Sequence, residues 1–222
     1  MNKSSSVAHE LKTPLTIIKA QIDVLNQQSS VSVEEYQATL NIINRTVSKM
    51  SELLDTLLEA SPEKSCLTEV LNIEEIILDV IEDLNVIADR KEIQLSYCID
   101  GHPESYGNPI LMYRCLYNLV ENAIKYNQTG GSVEIHCSTN QKNYSIKILD
   151  NGIGIPDEKI DKIFEPYYRC EKTNKEGIGL GLAMVQSIVS MHKGQIHVTS
   201  QMNEGSQFIL NFPYLKKESI SI

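Results

Sequence analysis

Two runs of apolar residues, spaced alternately three and four apart, constrain the first part of this chain more than any other feature. Ala8, Leu11, Leu15, Ile18, Ile22 and Leu25 follow that spacing, and Leu40, Ile43, Val47, Met50, Leu54 and Leu57 repeat it. The alternation keeps one narrow seam of an α-helix turned toward a partner helix. QQSSVS between the runs reads as a turn, and Ser32 with Glu35 three residues on is a capping signal for a helix start. The spacing therefore predicts an antiparallel helical hairpin. Two helices bury too little apolar surface to stand alone, so pairing with a second copy into a homodimeric four-helix bundle is expected. On the seams alone, a plain coiled coil stays open.

The segment HELKTPL at 9–15 is what a purely structural bundle does not need. Pro14 inside a helix removes one backbone hydrogen bond and frees the Glu10 carbonyl, at a cost on the order of 3 kcal/mol. At 3.6 residues per turn His9 lies about 100° around the helix from Ala8, and Thr13 about 40° further. Both are expected to face outward, with Glu10 beside them. Imidazole is neutral and nucleophilic near pH 7, and Glu10 can hold the proton of one ring nitrogen while the other presents its lone pair. A solvated surface histidine is the alternative.

SPEKSC at 61–66 breaks the heptads with a proline and polar residues, which places a linker and a domain boundary there. Beyond it, Ile73 to Ile87 reads as an amphipathic helix, residues 93–99 alternate as a strand, and Asn108-Pro109 opens a helix reaching Tyr126. Strands follow at 133–138 and 144–150, helices near 157–164 and 178–192, and strands at 195–200 and 206–212. The class is α+β: a helical hairpin over 1–62, an α/β sandwich over 67–215, and a tail at 216–222. A Rossmann or P-loop fold fits badly, because no GxGxxG follows an opening strand and no GxxxxGK[ST] occurs.

Composition narrows the partners. A net charge of −9 without a basic run argues against nucleic acid, whose phosphates are met by clustered Lys and Arg. Five scattered cysteines with no Cys-x-x-Cys pair indicate neither a zinc site nor a disulfide framework and suit a reducing, cytoplasmic setting. No stretch reaches the roughly 18 apolar residues of a membrane helix. The chain opens in mid-helix by pattern, which suggests segments upstream; whether a sensor and a membrane anchor are among them stays open.

Four segments carry chemistry. NLVENAIKYN at 118–127 sets Asn118, Asn122 and Lys125 on one helix face, amides that suit a phosphate-bound magnesium ion with a lysine for the phosphates. DNGIGIP at 150–156 puts a carboxylate at a strand end before two glycines, which allow close approach to a flat ligand or simply a tight turn. EGIGLGLAMV at 176–185 places Gly177, Gly179 and Gly181 before a helix whose first N–H groups suit phosphate. FEPYYRC at 164–170, followed by KTNK, has the polar composition of a lid, with Arg169 a candidate for the γ-phosphate.

Taken in order, HELKTPL, NLVENAIKY, DNGIGIP, FEPYYR and GIGLGL resemble the H, N, first glycine, F and second glycine boxes of sensor histidine kinases, over about residues 4–213. The resemblance implies a dimerisation and phosphotransfer hairpin followed by the Bergerat-type ATP-binding sandwich shared with DNA gyrase, Hsp90 and MutL. It implies that His9 is the phosphoacceptor, with Glu10 its base or aligner. Asn122 becomes the magnesium ligand, with Asn118 and Lys125 near the phosphates and Tyr126 lining the pocket. Asp150 is expected to take the adenine amino group, with Gly152 and Gly154 shaping that floor. Gly177, Gly179, Gly181 and Leu182 are expected along the nucleotide, and Arg169 matches the lid arginine. ATP and magnesium follow as cofactors and a response-regulator receiver domain as partner. The Glu-x-x-Thr pattern of Glu10 and Thr13 further implies phosphatase action on that partner.

One position refines the reaction. Where ATP-hydrolysing relatives hold a water-activating glutamate, this chain has Asn118, which cannot act as that base and so favours transfer to His9. The rival readings are an ATP-hydrolysing conformational switch of the same sandwich fold and a non-catalytic dimerisation scaffold. Ile17, Ala20 and Val24 form a second apolar line on the first helix, open to internal packing or to docking of the receiver, with Lys19 and Asp23 as rim charges.

Overall fold

The computed structural model describes residues 3–27, 31–60, 69–101, 104–170 and 179–214; in the two long helices, side chains are described for 14–26, 31–43 and 45–47. The chain divides into two compact units, Met1–Pro62 and Glu63–Ile222.

In the first unit, α1 (Lys3–Gln27), with Pro14 inside it, packs against α2 (Val33–Ala60). The start of α2 is fixed by the reciprocal pair read from the sequence. Ser32 Oγ accepts the Glu35 N–H at 3.2 Å, and Glu35 Oε2 accepts the Ser32 N–H at 3.0 Å. The Ser32 N–H, and with it the Ser32 hydroxyl, which donates to Glu35 Oε2 at 3.0 Å, hold the Glu35 carboxyl below its usual range. Along the seams, Leu15, Ile22, Leu40 and Val47 are each more than two-fifths exposed in the single chain. One copy therefore leaves uncovered the apolar surface that a partner helix pair would bury.

The second unit is a two-layer sandwich. Its main sheet runs β2 (Gln94–Asp100), β4 (Ser132–Thr139), β5 (Asn143–Asp150), β7 (Gly205–Pro213), β6 (Gln195–Gln201), with only the β2–β4 pairing parallel. Alternation turns Val133, Ile135, Cys137, Tyr144, Ile146, Ile148, Phe208, Leu210 and Phe212 to one buried face. Three helices cover it: α3 (Ile73–Arg90), α4 (Pro109–Lys125) and α6 (Gly181–Met191). A one-turn helix, α5 (Asp157–Ile160), is shorter than the segment expected over 157–164, whose remainder is turns. The linker expected at 61–66 and the tail at 216–222 lie outside the described residues.

Two strands had no counterpart in the sequence reading. β1 (Glu69–Asn72) pairs antiparallel with β3 (Glu104–Gly107) as a separate two-stranded sheet. Each strand is only four residues long, too short for an alternation to show. Each leads directly into a helix. Asn72 caps α3 by accepting the Glu75 N–H at 3.3 Å, and Asn108 caps α4 by accepting the Leu111 N–H at 3.0 Å, with Pro109 at the first helical position.

Candidate functional site

Helix α4 presents the polar face expected of it. Leu111, Cys115, Leu116, Leu119, Val120, Ala123 and Ile124 are buried, which leaves Asn118, Asn122 and Lys125 on the half-exposed side. Asn118 Nδ2 donates to the Arg114 carbonyl at 2.8 Å, one turn back along the helix. Its Oδ1 lies 2.7 Å from where a Cβ on Gly181 would stand. The first residue of α6 therefore has to be glycine for Asn118 to keep its place. The Lys125 ammonium sits 5.6 Å from the centre of the Tyr126 ring. Glu121, on the same helix, is half-buried, and burial raises its carboxyl pKa against the opposing pull of Lys125.

The glycine loop leaves β5 at Asp150. Asp150 Oδ1 accepts the Gly152 N–H at 2.9 Å. Burial pushes this carboxyl above its ordinary range, although the backbone bonds from Gly152 and Ser206 act the other way. The close approach that the glycines permit is to the chain's own backbone. A Cβ on Gly152 would stand 2.7 Å from the Tyr126 carbonyl oxygen, and one on Gly154, which has φ +70°, 2.1 Å from the Gln201 carbonyl oxygen. Hydrogen bonds stitch the same contacts: Ile153 N–H to Tyr126 O at 3.2 Å, Asn203 N–H to Ile153 O at 2.9 Å, and Ile155 N–H to Ser200 Oγ at 2.8 Å. Asp150 and Tyr126 are thus brought to one place by a loop clamped between the end of α4 and the β6–β7 turn.

The segment with the lid-like composition begins and ends at fixed points. The Tyr167 N–H donates to the Gly179 carbonyl at 2.9 Å, with Tyr167 at φ +66° and Gly179 at φ +82°. Lys159 Nζ donates to the Cys170 carbonyl at 2.9 Å. Arg169 is half-buried within this clip, and Leu182 half-buried in the first turn of α6. Gly177 lies outside the described residues. His9, Glu10 and Thr13 fall on α1 by backbone, but their side chains, and with them the expected outward orientation, lie outside the described residues.

Several residues that hold this site together were given no role by the sequence. Lys91, where α3 ends, donates from Nζ to the carbonyls of Ile124 and Lys125 at 2.8 Å and of Asn127 at 2.7 Å. Asn127 is buried and donates from Nδ2 to Ser132 O at 2.9 Å. His192, buried at the end of α6, accepts the Asn108 N–H on Nε2 at 3.0 Å and donates from Nδ1 to Ile188 O at 2.8 Å. Burial lowers its pKa, against the Ile188 bond, so the neutral ring is the form the fold holds. Of the histidines other than His9, His192 is a core residue, His136 pairs with Glu134 at 3.0 Å, and His197 is exposed. His102 lies outside the described residues.

The donor set fits a magnesium nucleotide. Asn118 has its Nδ2 engaged on the helix and its Oδ1 turned to the start of α6, and Asn122 is one turn on. Neutral amide oxygens of this kind suit a hard cation whose charge is balanced by phosphates. The half-buried carboxyl of Asp150 could accept a hydrogen bond from a base carrying an amino group.

Comparison with known proteins gives a consistent answer. Residues 4–65 match the family model described as His Kinase A (phospho-acceptor) domain, and residues 107–216 the model described as histidine kinase-, DNA gyrase B- and HSP90-like ATPase. Sensor histidine kinase RppB of Synechocystis is 30% identical over 95% of this chain and 48% of its own length. Adaptive-response sensory kinase SasA of Crocosphaera subtropica is 30% identical over 93% of this chain and 57% of its own. The chain thus spans about half the length of these curated relatives. Among solved structures, the catalytic domain of histidine kinase ThkA covers 68% of this chain and 97% of its own at 25% identity and a TM-score of 0.61. Full-length ShkA, solved with AMPPNP, covers 96% of this chain and 45% of its own at 21% identity and a TM-score of 0.76, a likeness of fold.

Proposed function

This chain belongs to the sensor histidine kinase family, and on that premise we propose that it phosphorylates His9 from ATP and passes the phosphoryl group to an aspartate of a response regulator. The observation that carries the reading is Asn118. Its amide is fixed by the Arg114 carbonyl and abuts Gly181, in the position where a water-activating carboxylate would serve hydrolysis. Nothing in the comparisons favours the hydrolysing switch.

Each residue has a task. Asp150 accepts a hydrogen bond from the adenine amino group, on a floor shaped by Gly152 and Gly154 with Tyr126 at its edge. Asn122, helped by Asn118, holds the magnesium ion. Lys125 and Arg169 counter the phosphate oxygens, and Gly177, Gly179, Gly181 and Leu182 run along the nucleotide at the start of α6. Magnesium, when bound, neutralises phosphate charge and eases departure of the leaving oxygen. Glu10 accepts the proton of one imidazole nitrogen of His9, and the other nitrogen attacks the γ-phosphorus. A P–N bond forms as the Pβ–O–Pγ bond breaks, and ADP leaves. In the reverse sense of signalling, Thr13 orients a water that removes phosphate from the regulator.

The hairpin is taken as residues 1–62 and the ATP-binding domain as 67–215. Pairing of two hairpins is supported by the exposed seam residues Leu15, Ile22, Leu40 and Val47. Ile17, Ala20 and Val24, exposed in the single chain, supply an apolar surface for the receiver domain, with Lys19 and Asp23 beside it. Histidine kinase ThkA has been solved in complex with response regulator protein TrrA, and that structure covers 97% of this chain at 24% identity and a TM-score of 0.65. No described helix is long and apolar enough to cross a membrane.

Incubation with γ-labelled ATP and magnesium tests the reading. Acid-labile, alkali-stable label that disappears in His9→Gln is the expected result. Phosphate release without protein labelling would instead establish the hydrolysing switch, and absence of nucleotide binding the scaffold.

A further inference from the structure

Four consecutive carbonyls at the end of α4 divide their partners in an informative way. Those of Ile124, Lys125 and Asn127 accept from the single ammonium of Lys91, at 2.8, 2.8 and 2.7 Å. The fourth, Tyr126 O, accepts the Ile153 N–H at 3.2 Å and lies 2.7 Å from the position of a Cβ on Gly152. A helix ends in carbonyls that lack intrahelical partners and carry the negative end of its dipole, so an ammonium there satisfies both needs. Three convergent bonds do more than cap. They fix the direction of the peptides on either side of Tyr126, and the glycine loop rests on the peptide between. The far side is tied too: the Lys91 carbonyl accepts the Gly130 N–H at 3.3 Å, and Asn127 Nδ2 bonds Ser132 O at 2.9 Å.

From this arrangement we infer that Lys91 is a positioning residue for the nucleotide pocket: by holding the carbonyls of Ile124, Lys125 and Asn127 it orients the Tyr126 peptide that receives the glycine loop after Asp150. It touches no ligand and acts through the Tyr126 peptide. The inference rests on the nucleotide reading given above. A simple helix cap would contribute to stability and leave the folded protein's affinity unaltered, whereas positioning shows in that affinity.

Lys91→Met keeps the stem and removes the three bonds; Lys91→Gln keeps one or two donors. Binding of ADP with magnesium, and of adenosine alone, is measured by calorimetry on the full chain, well below the unfolding temperature of each variant. Lys91→Met is expected to weaken both ligands by the same factor, because the floor under the base moves. That factor is roughly tenfold, the low end of what losing a residue behind the liganding side chains costs a metal site. Lys91→Gln falls between, and the Gly152 and Ile153 amide resonances shift in both variants. A folded Lys91→Met protein with a lowered unfolding temperature and unchanged affinities overturns the inference and leaves Lys91 a helix cap. Should Lys91→Met not fold, unchanged affinity in Lys91→Gln overturns it equally. Failure of the unsubstituted chain to bind either ligand refutes the nucleotide reading itself, a result distinguishable from both.

Discussion

Gly181→Ala is the most direct probe of the contact between α4 and α6. The added methyl would stand 2.7 Å from Asn118 Oδ1, and ordinary van der Waals contact begins at 3.4 Å, so the amide must retreat by about 0.7 Å. Among the described residues outside its own helix turn, the other atom near the methyl is Asn118 Cγ at 3.6 Å. Retreat strains or breaks the Nδ2 bond to the Arg114 carbonyl, at about 0.5–1.5 kcal/mol for a hydrogen bond of this kind. Replacing a helical glycine by alanine returns up to about 1 kcal/mol. The two nearly cancel, so the unfolding midpoint is expected to move by only a few degrees. Function is not so compensated, because a displacement near 1 Å at a positioned group can cost up to about a hundredfold in rate. Magnesium-ATP affinity and the rate of label incorporation are therefore expected to fall tenfold or more, on the same principle. In an Asn118→Ala background the same substitution has nothing to displace and should add no further loss. Affinity and labelling within twofold of the unsubstituted chain, or equal losses in both backgrounds, would refute the reasoning.

Two pH-linked predictions follow from buried groups. Burial raises the Asp150 carboxyl pKa, so the fold prefers its protonated form; the stability this group contributes is full below about 3.8 and is lost as pH rises through the folded value. Asp150→Asn keeps an acceptor for the Gly152 N–H and removes that loss, so thermal melts near neutral pH should show no destabilisation while calorimetry shows adenosine binding at least tenfold weaker, about the effect of placing a donor against the base's amino donor. His192 carries the opposite sign for the ring: its pKa is lowered, so its contribution to stability is full above about 6.5 and is lost as pH falls through the folded value. Protonation sets a ring N–H against the Asn108 N–H. His192→Leu should cost about 1–3 kcal/mol at pH 7.5, from the unpaired donor. It should also flatten the fall of the unfolding midpoint between pH 7 and 5, a slope that thermal melts in matched buffers can measure.

The parts of this protein legible in its sequence are those that repeat or stand together. Heptad spacing located α1 and α2, the Ser32–Glu35 pair located the start of α2, and Asn108-Pro109 located α4, because each signal reflects a local need of the backbone. The boxes were legible for the same reason: Asn118 and Asn122 sit one turn apart, and Gly152 and Gly154 within one loop. What escaped depends on separation. Lys91 meets Ile124, Lys125 and Asn127 from more than thirty positions away, and His192 meets Asn108 across 84. No local pattern records such a pairing. The β1–β3 ladder escaped because four-residue strands give alternation no room to appear. The glycine loop was half legible: close approach was expected, to a flat ligand or in a tight turn, but not that the positions of Gly152 and Gly154 would abut the backbone of Tyr126 and Gln201.

The parallel pairing of β2 with β4 has a kinetic consequence. Gln94 stands opposite Ser132, so β3 and the whole of α4 lie on the chain between two neighbouring strands. The β4–β5 and β6–β7 hairpins turn around at residues 140–142 and 202–204, and hairpins of this kind close in about 1–10 μs. β2 cannot be added so early, because its partner is reached only over a long crossover, and such distant closures are slow. That crossover is the helix bearing Asn118 and Asn122. The strand at the edge of the sheet and the helix with the Asn118 and Asn122 amides are therefore expected to dock together, after the hairpins, and to come apart together. A nucleotide held by α4, as proposed above, is then expected to slow fraying of β2, at a sheet edge that the ligand would not touch.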